Sequence, residues 1–423
     1  MSSYKHSVTL DVTRCKGCTN CIKRCPTEAI RVRDGRAFIK EDMCIDCGEC
    51  IRVCPYQAKK ATFDRFEDFS DYKFKIALPA PALYGQFEEF DDVDYILTAL
   101  LECGFDAVFE VSRAAEIVTE YTRRYMRQSN LNKPVISSAC PAIVRLIALR
   151  FPYLADNLLP LMPPIELAAR LSRKEALKAH PELTDDDICV LFISPCPAKI
   201  SYVKNPLGTH KSAVNGALAI NDFYFKIRAK RKEITNPKPL FGTGIIGLNW
   251  AGTGGEATSL LSDRYLAADG IENCIHVLDE IENGTIHNLE FVELNACNGG
   301  CVGGTLNVEN PYIAKARIRS LRKYLPISRN HPDNEGDVPE DVFLDDIDNI
   351  LNSVTVPALS ANRMEAIAKM SEVESIYKNL PHLDCGSCGA PNCHALAEDI
   401  VRGDADASDC LIRLRDTLTR SEH

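Results

Sequence analysis

The chain has 423 residues, 45% hydrophobic and 26% charged, with net charge −10, long enough for several domains with their own cores. Its 49 Lys and Arg residues are scattered rather than striped, which argues against a nucleic-acid footprint. No apolar run approaches the roughly 18 residues of a membrane span, and "MSSYKHSVTLDV" lacks the apolar core of a secretory signal, so a cytoplasmic protein with no nucleic-acid or membrane partner is expected.

Nineteen cysteines are the outlying feature. In a large chain expected to be cytosolic they point to metal binding rather than disulfides. Cys103, Cys189 and Cys274 stand outside any motif and read as buried small hydrophobes.

Residues 1–62 form a duplicated unit, "CKGCTNCIKRCP" and "CIDCGECIRVCP", joined by "TEAIRVRDGRAFIKEDM". The joining piece reads as a short helix and a hairpin turning at Asp34-Gly35. Residues 63–328 alternate apolar runs with amphipathic stretches, the pattern of an α/β domain. Strands are predicted at 74–79, 106–110, 134–138, 189–194 and 288–294, and helices at 92–102, 112–127, 140–150, 164–179 and 311–323. Residues 329–359, which include "SRNHPDNEGDVPED", read as a linker, with a helical pattern at 343–353. A last, α-helical domain over 360–423 has a helix at 360–379, the stretch "DCGSCGAPNCHALAEDIVRGDADASDC" and a terminal helix.

The duplicated C-x2-C-x2-C-x3-C-P run is the pattern of bacterial ferredoxins, in which the fourth cysteine of each run serves the other cluster. Cys15, Cys18 and Cys21 should therefore share a 4Fe–4S cubane with Cys54, and Cys44, Cys47 and Cys50 one with Cys25. Zinc is the alternative, but zinc knuckles do not exchange ligands in this way. In the C-terminal segment, Cys385, Cys388, Cys393 and Cys410 resemble the small cubane-binding domain of electron-transport subunits and corrinoid-linked proteins, with zinc again the alternative. Pro391 fits a helix start that places Cys393 near the first turn, and the neighbouring His394 reads as an ordinary helix residue.

Four cysteines remain in the middle: Cys140 in "SSACPAIVRLI", Cys196 in "ISPCPAKISYV", and Cys297 and Cys301 in "ELNACNGGCVGGTLNV". Each stands at a predicted strand end or before a helix, and in α/β sheets such ends converge on one crevice. They could be core residues, but the density of Gly299, Gly300, Gly303 and Gly304 suggests close backbone approach to something bulky. "GTGIIG" (242–247) satisfies G-x-G-x-x-G, yet no clear strand leads into it and no helix is evident after it. With "AGTGGE" (251–256) it reads better as flexible backbone lining a cavity than as a dinucleotide site.

"SSACPAIVR", "SPCPAKISY" and "ELNACNGGCVGG", in this order after a two-cluster module, resemble the three motifs of iron-only (di-iron) hydrogenases. The resemblance implies an α/β central hydrogenase catalytic domain, an N-terminal α+β two-cluster ferredoxin module and a small α-helical C-terminal iron–sulphur domain. It implies a central cubane on Cys140, Cys196, Cys297 and Cys301, with Cys301 bridging to a di-iron unit that carries CO, cyanide and an azadithiolate. The chain would then hold four 4Fe–4S clusters in all. Lys199 matches the lysine that hydrogen-bonds an iron cyanide, and Ala80 and Pro81 in "LPAPA" the backbone facing the other. H2 and protons are the implied substrates, with a redox or signalling protein and the hydrogenase maturation enzymes as partners.

The departures from the family pattern are as informative. The first motif usually opens with a proton-passing cysteine, and here that place is Ala139. Methionines usual at the second and third motifs are replaced by Ser194 and Asn295. Glu116 and Glu120 fit the usual proton path only loosely, whereas Glu256, after "GTGG", and Glu293 are candidate substitutes. Glu293 could instead hold its motif by hydrogen bonds. These features resemble the sensory branch of the family, so reversible H2 turnover at a low rate, tied to H2 sensing, is expected. The alternative is an iron–sulphur assembly or regulatory scaffold, like nuclear prelamin A recognition factor-like proteins, which hold cubanes without the di-iron unit. Lys199 and the complete eight-cysteine module favour the hydrogenase.

Overall fold

The computed structural model describes residues 6–88, 92–352 and 358–415. The chain divides into two compact units. Residues 8–44 and 48–61 form one of them together with the segment beyond residue 353. Strand β1 (Val8–Leu10) pairs antiparallel with a later strand, and β2 (Ile30–Arg33) with β3 (Arg36–Ile39). Asp34 and Gly35 at the hairpin tip both have positive φ, 50° and 70°, as a two-residue turn of this hand requires. The short helix expected in the joining piece is a 3-10 turn at Glu41–Met43, after the hairpin. β4 (Lys59–Ala61) closes the module on β1, with Leu10 opposite Lys59.

The C-terminal segment was expected as a separate domain, but it packs on this module. Its helices Arg363–Lys378 and Cys393–Arg402 share a small core of Val373, Leu380, Leu396 and Ala397. Asp399 on the second helix is 1% exposed and lies 2.5 Å from Arg31 Nε, 2.8 Å from Lys40 Nζ and 3.2 Å from Arg33 Nη2. Val32 N–H donates to Gly389 O at 2.8 Å, so the hairpin and the cysteine loop are stitched by backbone as well. The hairpin's cations have their carboxylate far along the chain, which no local pattern reveals. The terminal helix begins at Leu411, and residues from 416 on lie outside the described residues.

The other unit includes residues 62–353 and contains two parallel sheets. In the first, β5 (Phe74–Pro79) lies between β6 (Ala107–Val108) and β8 (Ile188–Ser194), and β9 (Gly216–Ala219) flanks β8. In the second, β11 (Phe291–Asn295) lies between β10 (Tyr265–Asp269) and β7 (Val135–Ile136). Every residue of β8 is buried, as expected of a parallel strand covered on both faces. Cys189 and Cys274 are buried core residues, while Cys103 packs half-buried against the core.

The predicted strands and helices of this unit all form, though 106–110 and 134–138 shrink to two-residue strands. The helices Pro197–Lys204, Ile220–Arg231 and Ile271–Glu282 and the strands β9 and β10 had not been expected. β9 reads "GALA", short and without a polar residue, and gives no alternation to detect.

Two further expectations are corrected. The stretch from 329 read as a linker is fastened to this unit as far as residue 352: Arg329 and Asn330 donate backbone N–H groups to Glu116, and Val342 and Ile350 are buried. Its helix is confined to Asp348–Asn352, and residues 353–357 lie outside the described residues. "GTGIIG" does not line the cavity described below, and a short helix begins within it, at Ile245–Asn249. A Cβ on Gly247 would lie 2.3 Å from Ser112 O, and one on Gly244 2.6 Å from Glu116 Oε1. These glycines let that helix approach Val111–Tyr125 closely.

Candidate active site

The motif loops leave the carboxyl ends of parallel strands. β5 runs into Ala80-Pro81, β8 into Cys196, β7 into Ala139-Cys140 and β11 into Cys297. Cys140 and Cys196 each stand at the N-cap of a helix whose first residue is the following proline. Proline is pre-set for that position and lacks the N–H that would go unbonded there. Each thiol is thus held in extended backbone where its helix begins.

The glycines of the third motif serve a purpose other than the one expected. A Cβ on Gly304 would lie 2.2 Å from Pro195 O, one on Gly303 1.9 Å from Asn298 O, and one on Gly300 2.5 Å from Thr253 N. The close approach is to neighbouring backbone, so the third motif is pressed onto the second and onto the "GTGG" turn. Leu306 N–H to Pro195 O at 3.0 Å completes that contact.

These loops surround a cleft lined by Ala80, Pro81, Ala139, Cys140, Lys199, Glu256, Glu293, Asn295 and Cys301. Val111, Ile165, Phe192 and Trp250 form apolar walls. Lys199 Nζ lies 3.7 Å from Cys301 Sγ. Burial works against its ammonium, but the charges of Cys301, Cys196, Cys140 and Cys297 outweigh it and hold the amine above its ordinary range. All four central cysteines are therefore near one cation. Burial pushes the Cys196 thiol up to about 11, with Cys301 and Cys140 adding to the effect.

The acidic candidates separate. Both oxygens of Glu293 are bonded, to Gly254 N and Asn295 Nδ2 on one side and Ala257 N on the other, at 2.8–2.9 Å. It ties the "GTGG" turn to β11. Glu256 is 4% exposed; one oxygen lies 2.6 Å from Ser137 Oγ, and the other, buried, has no hydrogen-bond partner among the described residues. Burial, then the Glu293 charge, raises its pKa to about 8. Ala139 N–H donates to the same Ser137 hydroxyl at 3.3 Å. Ser137 was missed in the sequence, although it stands two residues before the substituted position.

Glu116 accepts from Gly244 N, Arg329 N and Asn330, so it is a structural clasp. Glu120 is ion-paired with Arg123 and Arg124 on its own helix. Ser194 braces the second motif: its hydroxyl donates to Cys196 O and accepts from Cys196 N–H.

In the other unit, Cys15, Cys18, Cys21 and Cys54 line one small cavity. Backbone N–H groups point at the sulfurs, Ala37 at Cys15 (3.4 Å), Ala29 at Cys25 (3.2 Å) and Ala58 at Cys54 (3.2 Å). Cys50 is raised by burial and then by the charges of Cys44, Cys25 and Cys21, so it too has a neighbour from the other run; Cys47 is half-buried. In the C-terminal segment Cys393 opens its helix, capped by Asn392. Burial raises the Cys388 thiol, and Cys410 and Cys385 add to it, so these sulfurs are neighbours. His394 is directed at Glu374 and Glu398 instead.

Comparison with known proteins agrees. The family described as "Iron only hydrogenase large subunit, C-terminal domain" matches residues 73–240 and 250–305. A "4Fe-4S dicluster domain" matches 7–55, and an Fe–S cluster family matches 380–412. Iron hydrogenase 1 of Clostridium pasteurianum is 25% identical over 392 residues, a match covering 75% of this chain and 68% of that protein. The periplasmic Fe hydrogenase large subunit of Nitratidesulfovibrio vulgaris is 27% identical over 388 residues, covering 75% of this chain and 90% of that one. A solved FeFe-hydrogenase of Chlamydomonas reinhardtii aligns at 15% identity and TM-score 0.43, covering 62% of this chain and 87% of that chain, too weak a likeness to add to the sequence matches. No helix among the described residues is long and apolar enough to cross a membrane. The first family match runs through all three cysteine motifs around the cleft, from Cys140 to Cys301, and on that ground the chain belongs to the iron-only hydrogenase family.

Proposed function

We propose that the chain is a slow iron-only hydrogenase, interconverting H2 with two protons and two electrons in the service of H2 sensing, in the cytoplasm. The observation that carries this reading is the half-buried Lys199 ammonium, 3.7 Å from Cys301 Sγ on the wall of an otherwise largely apolar cleft. A cubane needs thiolates alone. A cation facing open space beside them suits an anionic group on the far side.

The residues fit the cofactor expected for the family. Cys140, Cys196, Cys297 and Cys301 would hold the cubane, Cys301 would bridge, and Lys199 with the backbone of Ala80-Pro81 would face the cyanides of the di-iron unit. When bound, that unit supplies the redox chemistry of H2 and carries the CO and azadithiolate ligands. The chain's own part is to exclude water with Val111, Ile165, Phe192 and Trp250, to balance negative charge with Lys199, and to keep a proton at hand. Ala139 cannot pass one. Glu256, with a pKa near neutrality and an unbonded oxygen in the cleft lining, is the substitute donor, positioned by Ser137. Eight cysteines of the N-terminal module and four of the C-terminal segment would hold three further cubanes as an electron relay, with a redox or signalling protein as partner.

The test is infrared spectroscopy after maturation with the hydrogenase assembly enzymes. Bands of iron-bound CO and cyanide, with H2 evolution from a low-potential donor, are expected. A fully iron-loaded protein without those bands would favour the alternative, a scaffold that holds cubanes only.

A further inference from the structure

The two halves of the N-terminal module are internal controls for one another. After its last cysteine the first run continues "CPTEAIRV" and the second "CPYQAKKA", so Ile30 and Lys59 are equivalent positions. Both are buried, Ile30 at 3% and Lys59 at 2% exposure. The exposed neighbour Lys60 pairs with Asp11 in the usual way for a surface lysine. Lys59 Nζ, by contrast, is buried and has no hydrogen-bond partner among the described residues. An ammonium in that position is costly unless something nearby is negative.

Its surroundings supply the answer. Lys59 lines the small cavity shared by Cys15, Cys18, Cys21 and Cys54. Its charge acts on Cys21 and Cys54, and also on Cys50 of the other set. We propose that Lys59 is a fixed countercharge that raises the reduction potential of the cubane on Cys15, Cys18, Cys21 and Cys54 above that of its twin, where Ile30 stands instead. A cubane on four thiolates becomes more negative by one unit when it takes up an electron. A buried cation beside it stabilises the reduced form more than the oxidised form. One electron passes from the twin or from an outside one-electron donor to this cubane, with no bond made or broken. Val32, which also lines this cavity, donates its N–H to Gly389 O, so the C-terminal segment meets the module beside this site. Electrons would therefore rest on this cubane rather than on its twin.

This rests on the reading that the module holds two cubanes, and the experiment separates the two claims. Full-length protein, reconstituted anaerobically, is assayed for iron and titrated potentiometrically with detection by electron paramagnetic resonance. Two ferredoxin-type couples of different potential are expected in the wild type. Lys59→Ile and Lys59→Gln should lower the higher couple by a tenfold change in its reduced-to-oxidised ratio or more, about 59 mV for one electron. The lower couple should move less, and Lys59→Arg should hold the wild-type values. Wild-type protein lacking iron for two cubanes in this module would overturn the cubane reading itself. Full iron with potentials unchanged in Lys59→Ile and Lys59→Gln would overturn only the role of Lys59. Loss of the cubane from both neutral variants would also overturn it, by showing that the lysine serves assembly and not potential.

Discussion

Ser137 and Glu256 meet at 2.6 Å inside the cleft, and the hydroxyl also receives the backbone N–H of Ala139. Ala139, where the family resemblance implies a proton-passing thiol, is thus one hydrogen bond from a serine that holds a buried carboxyl. H2 evolution by the wild type is expected to be low but measurable. Glu256→Gln should lower it at least tenfold, about 1.4 kcal/mol in the barrier, with the CO and cyanide bands kept. Because the carboxyl's pKa is raised to about 8, it is protonated at neutral pH, and evolution should fall as pH rises through that value. Wild-type turnover in Glu256→Gln would leave a slow site with no substitute donor. Ala139→Cys is not expected to give a fast enzyme, because Glu116 and Glu120 are committed to structural bonds.

Lys199→Ala tests the countercharge in the cleft. Without its donor a buried anionic ligand loses about 1.5–3 kcal/mol or more. Iron of the central cubane should be retained while the di-iron bands weaken or vanish. Unchanged bands with full activity would remove Lys199 from the site.

Iron content checks the relay. Four cubanes amount to about sixteen irons, apart from the di-iron unit. Cys393→Ser should lose one cubane and leave the other three, and an unchanged iron count would exclude Cys393 as a ligand.

Much of this was legible in the sequence because the cues were local. Cys140 and Cys196 each stand where a predicted strand end gives way to a proline-led segment, and both prove to be helix N-caps. β5 reads "FKIALP" and forms over those same residues. What the sequence concealed depended on distant partners. Glycines 300, 303 and 304 suggested a bulky cofactor, but the atoms they admit are backbone atoms of Thr253, Asn298 and Pro195. Ser137 has no motif of its own and gains meaning only when Glu256, more than a hundred positions away, folds against it. The polar stretch after residue 328 looked solvated because its main anchor, Glu116, lies on a helix formed much earlier in the chain.

Asp399 is the clearest such case, and it yields the last prediction. Burial pushes its pKa up, but hydrogen bonds and charge from Arg31 and Lys40 outweigh that and hold the carboxyl below its ordinary range. Asp399→Asn would leave the cations without their carboxylate. Breaking a buried pair from one side costs about 3–5 kcal/mol, and the low end applies here because Arg33 and Lys40 reach solvent in part, at 22% and 21% exposure. A carboxyl whose folded pKa is depressed contributes stability in full above its unfolded value, about 3.9. It loses that contribution as pH falls through the lower folded value. Denaturant unfolding of the full chain, followed through the absorbance of its iron–sulphur clusters, should therefore show two effects. Asp399→Asn should be less stable at pH 7, and the gap from wild type should close as pH falls below about 4. A constant gap across that range would mean that Asp399 is held by packing rather than by its charge, and equal stability at pH 7 would mean that the hairpin and the helix need no ionic clasp.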